Sequence, residues 1–132
     1  MTGGARLSAV GKVLAFSSAV EAVTGLVAAF DPTLLAHLLF GSQVRTLPIP
    51  FARIAGIALM ALAVACWPGR DAHGRLPARH AMLLYNAVVA IYLAYLALSP
   101  KLVGQLLWPA IALHAVVTVL LLVAGRERAA AA

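Results

Sequence analysis

Four long apolar segments, separated by short polar or proline-containing segments, dominate the pattern of the chain. They cover about residues 10–30, 49–67, 80–98 and 106–124. At a helical rise of about 1.5 Å per residue, each segment is close to the length needed to cross a hydrocarbon core about 30 Å thick. The pattern therefore predicts an all-α polytopic membrane protein, in which residues 1–132 form a single domain and a bundle of four transmembrane helices.

The first apolar segment is predicted to be a helix with one polar and one bulky apolar side. With about 100° of rotation per residue, small and polar residues fall on the side of Glu21. This side contains Ser17, Ser18, Thr24, Gly25 and Ala28, and the opposite side contains Phe16, Val23, Leu26, Val27 and Phe30. Small and polar residues face other helices in a membrane, so Glu21 is predicted to point into the bundle. An apolar region interrupted by a glutamate is also a poor core for a cleaved signal peptide.

The segment that follows the first span is too short to cross a membrane. Asp31-Pro32 has the form of a helix N-cap followed by a proline at the first helical position, and Gly41 is a typical stop. We therefore expect a short helix in the outer interface, with its leucines turned towards the membrane or the mouth of the bundle. The other connections are expected to be loops: Ser42–Pro48, Arg70–Arg79 and Ser99–Gln105.

Each predicted span contains one strongly polar residue: Glu21, Arg53, Asn86 and His114, respectively. A carboxylate near the middle of a membrane costs about 2.5–3.5 kcal/mol even on the mildest insertion scale, so Glu21 requires partners. Arg53 keeps its charge at any accessible pH and is expected to reach inwards and pair with an ionised Glu21. His114 is expected to hydrogen-bond to Glu21 or Asn86.

This predicted polar cluster has two interpretations. It is either a structural network that holds the helices in register, which the sequence favours, or a site that binds a polar group or passes a proton. A third arrangement, in which another subunit completes the cluster, is also open. Tyr85 and Tyr92 lie seven residues apart on one helical stripe, where they could line a ligand pocket, although packing within the bundle is favoured.

The residues give little support to catalysis or to a metal or cofactor site. The four histidines are poorly placed for a bis-histidine haem. Ser17 and Ser18 lie one turn from Glu21, but serines on such a helix face usually serve packing. The single Cys66 excludes an intrachain disulfide and a cysteine-based metal site. We therefore expect no catalytic residue, metal or cofactor, and favour a protein that is not an enzyme.

Composition and charge agree with a membrane environment. Hydrophobic residues make up 64% of the chain and charged residues 11%, against about 25% charged residues in ordinary soluble proteins. The formal charge of +6 comes from basic residues between the apolar segments, so orientation in the bilayer explains it better than a nucleic-acid partner.

The basic residues are distributed unequally between the two sides of the predicted bundle. Seven belong to the side of the termini: Arg6, Lys12, Arg70, Arg75, Arg79, Arg126 and Arg128. Two belong to the opposite side, Arg45 and Lys101. This asymmetry predicts that both termini and the 70–79 segment are cytoplasmic.

Several stretches resemble a family of small, uncharacterised bacterial membrane proteins with four spans. They are Glu21 with Thr24-Gly25-Leu26, Ala52–Leu59, Ala65–Arg70, Leu83–Asn86, and Trp108-Pro109 followed by His114. In size and topology the chain also resembles, more distantly, the DoxX-type four-helix membrane proteins. The resemblance implies residence in a bacterial cytoplasmic (inner) membrane, surrounded by a lipid bilayer, and it implies no substrate.

Two classes of function follow from these observations. In the first, the protein is a non-catalytic membrane module or accessory subunit, either in a homo-oligomer or in a larger membrane complex. In the second, it binds a small apolar or amphipathic ligand or handles protons, with its site at Glu21 and His114. A transporter would need to dimerise, because four short helices leave little room for alternating access. An open cavity at Glu21 would favour the second class, and a closed, fully paired cluster the first.

Overall fold

The computed structural model describes residues 8–41, 48–68, 72–99, 102 and 104–130. Within this part of the chain there are five helices and no strand. The helices are α1 (Ala9–Phe30), α2 (Pro32–Phe40), α3 (Ile49–Cys66), α4 (Ala72–Ala97) and α5 (Leu107–Ala130). Four segments are long and apolar enough to cross a membrane: Ala9–Phe30, Ile49–Cys66, Leu76–Ala97 and Leu107–Arg126. The predicted all-α bundle of four membrane-spanning helices, with a short helix after the first span, is confirmed.

The two sides of α1 are those predicted from the sequence. Ser17, Ser18, Glu21, Gly25 and Ala28 are buried, and Thr24 is half-buried. The bulky residues Phe16, Val23, Leu26 and Phe30 are exposed on the outer surface of the bundle, and Val27 is half-buried. In a bilayer this exposed surface faces lipid, because long aliphatic and aromatic side chains are as well solvated there as in a protein core.

A pair of glycines brings the main chains of α1 and α3 into contact. A Cβ atom on Gly25 would lie 2.7 Å from the carbonyl oxygen of Gly56, and one on Gly56 would lie 2.6 Å from the carbonyl oxygen of Gly25. Carbon and oxygen atoms do not approach that closely without repulsion, so each position accommodates only glycine at this helix separation. The crossing fixes which residues of α3 face the bundle.

The N-terminus of α2 is capped by the residue that ends α1. Asp31 Oδ1 accepts hydrogen bonds from the Thr33 hydroxyl at 2.6 Å and from the Leu34 amide at 3.0 Å. These hydrogen bonds favour the carboxylate and lower the pKa of Asp31 below its usual value. The predicted Asp31-Pro32 start is therefore confirmed.

The C-terminus of α2 is attached to the segment that leads into α5. Gly41 ends the helix with a φ of 79°, a conformation that glycine adopts without steric cost. The amides of Gly104 and Leu106 donate hydrogen bonds to two carbonyl oxygens near the end of α2, those of Leu39 and Leu38. Such carbonyls have no partner within their own helix, so these bonds hold α2 across one end of the bundle.

Two helices extend beyond their predicted limits. α4 begins at Ala72, so much of the Arg70–Arg79 segment is helical rather than a loop, with Pro77 inside the helix. Proline has a φ suited to a helix, and near the start of α4 it removes only one main-chain hydrogen bond. α5 continues past residue 124 to Ala130. The two other predicted loops, Ser42–Pro48 and Ser99–Gln105, lie partly outside the described residues, which do not include 42–47, 100, 101 and 103.

The main apolar core lies at the end of the bundle where α1 begins and α3 ends. It is formed by Val10, Leu14, Cys66, Met82, Val117, Leu121 and Ala124. Cys66 is a buried free thiol within this core. The polar cluster described next lies between this core and α2.

Candidate functional site

Glu21 is buried at the centre of the bundle and contacts two other helices. Its side chain is 1% exposed. The hydroxyl of Tyr85 on α4 donates a hydrogen bond to Oε2 at 2.9 Å. Nδ1 of His114 on α5 lies 4.0 Å from Oε1, at the outer limit of a salt bridge. A buried pair of acid and base therefore exists, and it is an ion pair when the imidazole is protonated.

The predicted ion pair between Glu21 and Arg53 is wrong, because the basic residue beside Glu21 is His114. Arg53 is exposed, and within the described residues no salt bridge joins it to Glu21. The close contact between Gly25 and Gly56 leaves no room for a long side chain between α1 and α3 at this level. It also turns Gly56, Ala63 and Cys66 inwards, and Arg53 lies beside this buried stripe.

Asn86 is completely buried and joins α4 to both α1 and α5. Its Nδ2 donates hydrogen bonds to the Met82 carbonyl at 2.8 Å and to Ser17 Oγ at 3.2 Å. Its Oδ1 lies 2.8 Å from Nδ1 of His114. Of the two alternatives for His114 raised by the sequence, the hydrogen bond is therefore made to Asn86. The serine partner of Asn86 could have been inferred, since Ser17 lies on the Glu21 side of its helix.

The cluster is not fully paired. Within the described part of the chain, two buried polar side-chain atoms have no hydrogen-bond partner: Glu21 Oε1 and Ser18 Oγ. Buried polar atoms without partners are uncommon in proteins and costly. Each such atom requires an explanation, such as local strain, a catalytic role or a bound water or ion. The structural interpretation expected a closed, fully paired cluster, and in the described residues this pairing is incomplete.

A cavity of about 340 Å³ lies beside the cluster, between α1, α4 and α5, with Leu59 of α3 on one wall. Most of its lining is aliphatic, and α2 contributes Leu35 and Leu39. These two leucines face the mouth of the bundle, as predicted for the short helix. The polar residues in the lining are Thr24, Tyr85 and His114.

Tyr85 and His114 both line the cavity, and their rings pack against each other in an edge-to-face arrangement. The ring centroids are 5.9 Å apart and the ring planes are inclined by 76°. The Thr118 hydroxyl donates to the His114 carbonyl at 2.8 Å, one turn further along α5. Within the described chain, Nε2 of His114 has no hydrogen-bond partner, so it is the ring nitrogen left for a molecule in the cavity.

The two tyrosines singled out from the sequence have different environments. Tyr85 lines the cavity and bonds to Glu21, whereas Tyr92 is 58% exposed and is not part of the lining. Seven residues are about 20° short of two full turns in a straight helix, and at the level of Tyr92 the buried residue that lines the cavity is its neighbour Leu93. The hydrogen bond from Tyr85 to Glu21 was not predicted, although Tyr85 precedes the buried Asn86 in the chain.

No group of three or more histidine, cysteine, aspartate or glutamate side chains in the described residues could hold a metal ion. Comparisons of the chain with family models, with curated proteins and with solved structures found no match. The four apolar helices are compatible with a small membrane protein of four spans, placed in a lipid bilayer.

Proposed function

We propose that this protein is a non-catalytic membrane protein that binds a small amphipathic molecule in the cavity beside Tyr85 and His114. The observation that carries the proposal is the cavity itself, a space of about 340 Å³ with an aliphatic lining and two converging polar rings. Small-molecule sites are typically cavities of about 300–1,000 Å³ with mostly apolar walls and a few polar groups that orient the ligand. The cavity lies at the lower end of this range, which suits a small ligand.

The incomplete pairing of the polar cluster supports a binding role over a purely structural one. A network that only fixed helix register would be expected to satisfy its buried polar atoms. Here Nε2 of His114, a residue of the cavity lining, has no hydrogen-bond partner within the described residues. A ligand with an apolar body and one polar group would fill the cavity and pair with the imidazole.

The apolar surroundings also indicate where the ligand comes from. The outer surface of the bundle consists largely of exposed aliphatic and aromatic side chains, so the protein is embedded in lipid rather than in water. Amphipathic molecules concentrate in the bilayer and can reach the cavity from there. We propose the bacterial cytoplasmic membrane as the location, on the strength of the family resemblance.

The proposed orientation places both termini in the cytoplasm, because seven basic residues on that side oppose two on the other. Single cysteines introduced at positions 43 and 73, in a Cys66→Ala background, test this. A membrane-impermeant thiol reagent added from outside should label position 43 and leave position 73 unlabelled. The reverse pattern would invert the proposed orientation.

Ligand binding can be tested with a fluorinated probe, para-trifluoromethylbenzyl alcohol, and protein in lipid nanodiscs. Fluorine NMR separates the protein-bound probe from probe dissolved in lipid, and empty nanodiscs give the background. Ala110 lines the cavity, so Ala110→Phe should fill it and weaken binding about tenfold or more.

Ala112→Phe adds the same side chain on the exposed side of α5 and provides a matched control. The control should bind the probe as the unmodified protein does. No specific signal from the unmodified protein, or equal binding by Ala110→Phe, would refute the proposed function.

A further inference from the structure

The class of molecule that fits the cavity follows from a chain of hydrogen bonds that begins at the Met82 carbonyl. A carbonyl oxygen can only accept, so the side-chain atom of Asn86 that lies 2.8 Å from it must be the amide nitrogen. The same nitrogen faces Ser17 Oγ. The orientation of the buried amide is thereby determined, and its oxygen faces His114.

The amide orientation in turn determines which nitrogen of His114 carries a proton. Oδ1 of Asn86 has no hydrogen to donate, so the 2.8 Å contact requires a proton on Nδ1 of His114. In a neutral imidazole only one nitrogen carries a proton. Nε2 therefore presents a lone pair and acts as an acceptor.

The contacts of Glu21 are those expected beside a neutral imidazole. A charged carboxylate–imidazolium pair in an apolar interior gains most from a direct hydrogen bond of about 2.7–2.9 Å. Here the distance between Glu21 Oε1 and His114 Nδ1 is 4.0 Å, and the Nδ1 proton is directed to the uncharged amide of Asn86 instead. The imidazole thus makes its short hydrogen bond to a neutral partner.

Tyr85 presents the same hydrogen-bonding character to the cavity. Its hydroxyl proton is used in the bond to Glu21 Oε2, so only oxygen lone pairs remain for a ligand. Both rings at the polar end of the cavity are therefore acceptors. A molecule that can only accept hydrogen bonds would leave these atoms unpaired, which is costly away from water.

We propose that the cavity selects neutral amphipathic molecules that carry a hydrogen-bond donor, of the class of alcohols and phenols, with His114 Nε2 as the acceptor. This inference rests on the proposed function and specifies its ligand. Asn86 acts as a positioning residue, since it holds the imidazole in the tautomer that accepts. Carboxylate anions and simple ethers are predicted to bind poorly.

The test compares para-trifluoromethylbenzyl alcohol with its methyl ether, which has nearly the same shape and lacks the donor. In nanodiscs the alcohol should bind about tenfold more tightly, the equivalent of one hydrogen bond. Asn86→Leu should reduce this preference, whereas Tyr92→Phe, which removes an exposed hydroxyl on the same helix, should preserve it.

The tautomer can be measured directly on the unmodified protein, which keeps the test valid where Asn86→Leu does not fold. Imidazole nitrogen chemical shifts, with the His114 signals assigned by comparison with His114→Gln, should show a protonated Nδ1 and an unprotonated Nε2. A proton on Nε2, or equal or tighter binding of the ether, would overturn the proposed ligand class.

The two proposals fail in distinguishable ways. If alcohol and ether bind equally and Ala110→Phe weakens both, the cavity binds ligands but does not select donors. If neither probe binds, the proposed function itself fails.

Discussion

The Tyr85 hydroxyl donates a 2.9 Å hydrogen bond to Oε2 of Glu21, across the boundary between α4 and α1. Within the described residues, it is the only hydrogen bond made to the Glu21 carboxyl group. The other oxygen of that group, Oε1, has no partner there. The two helices are therefore connected, at the centre of the bundle, through a group that is expensive to bury.

Replacing Tyr85 with phenylalanine should destabilise the protein by about 1–3 kcal/mol, because a buried carboxyl oxygen loses its donor. Reversible unfolding in detergent can measure this change. Tyr92→Phe removes the same atom from an exposed position on the same helix and should change stability by less than about 0.5 kcal/mol. Equal effects of the two substitutions would show that the Tyr85–Glu21 bond contributes nothing.

The adjacent serines of α1 should respond differently to replacement by alanine. Ser17 accepts a hydrogen bond from Asn86, so Ser17→Ala should cost about 1 kcal/mol of unfolding free energy. Ser18 is equally buried, but its hydroxyl oxygen has no partner in the described part of the chain. Ser18→Ala removes the free-energy cost of this unpaired hydroxyl and should be neutral or stabilising in the same unfolding assay. A loss on Ser18→Ala would reveal a bound water or ligand at this hydroxyl.

The contact between Gly25 and Gly56 should make both positions intolerant of alanine. Each added Cβ would overlap a carbonyl oxygen of the facing helix, and we expect each substitution to destabilise the bundle by about 1–3 kcal/mol. Alanine is favoured over glycine within a helix by about 1 kcal/mol, so a net loss isolates the steric effect. The double substitution of Gly25→Ala and Gly56→Ala should destabilise the protein by less than the sum of the two single effects. The same increase in the distance between α1 and α3 removes both steric overlaps.

Ala58→Val provides the control for that experiment. Ala58 is exposed on α3, so the larger side chain should leave stability unchanged within about 0.5 kcal/mol. Unfolding measurements that show Gly25→Ala to be as harmless as Ala58→Val would contradict the close crossing of α1 and α3.

Arg53 and Glu21 should behave as independent residues in a double-mutant cycle. Arg53 is exposed and makes no salt bridge to Glu21 in the described structure, so the effects of Arg53→Ala and Glu21→Gln should add within about 0.5 kcal/mol. The pair Glu21→Gln and Tyr85→Phe should be non-additive, because these two side chains share a hydrogen bond. Non-additive effects of Arg53→Ala and Glu21→Gln would instead support the ion pair that the sequence predicts.

The cap of α2 should depend on pH through Asp31. Its pKa is lowered by the bonds from Thr33 and Leu34, so the native state favours the carboxylate. The resulting stabilisation is present above the ordinary aspartate pKa and is lost as the pH falls through the lowered value. Amide exchange of Leu34 and its neighbours should therefore show weaker protection under acid conditions. Asp31→Asn keeps an acceptor without a titrating group and should abolish the pH dependence.

The fold could be predicted from the sequence because it depends on regular, local signals. The length and hydropathy of four segments make them long and apolar enough to span a membrane, and the 3.6-residue period places Glu21 on the packed side of α1. The ends of α2 are determined by Asp31, Pro32 and Gly41, whose cap and backbone preferences act within a few residues. These features require no knowledge of how the helices are arranged.

Only the tertiary structure decided which polar groups meet. A sequence periodicity places a side chain on one face of its helix to within a broad arc, whereas a hydrogen bond requires an accuracy of a few tenths of an ångström. The contact of Gly25 with Gly56 sets the rotation of α3 and leaves Arg53 on the surface. The packing of α4 and α5 brings Tyr85 to Glu21 and His114 to Asn86, and opens the cavity beside them. Helix rotation and axial position depend on the summed packing of all neighbours, so the sequence determined the helices and their polar faces, and the tertiary structure determined the site.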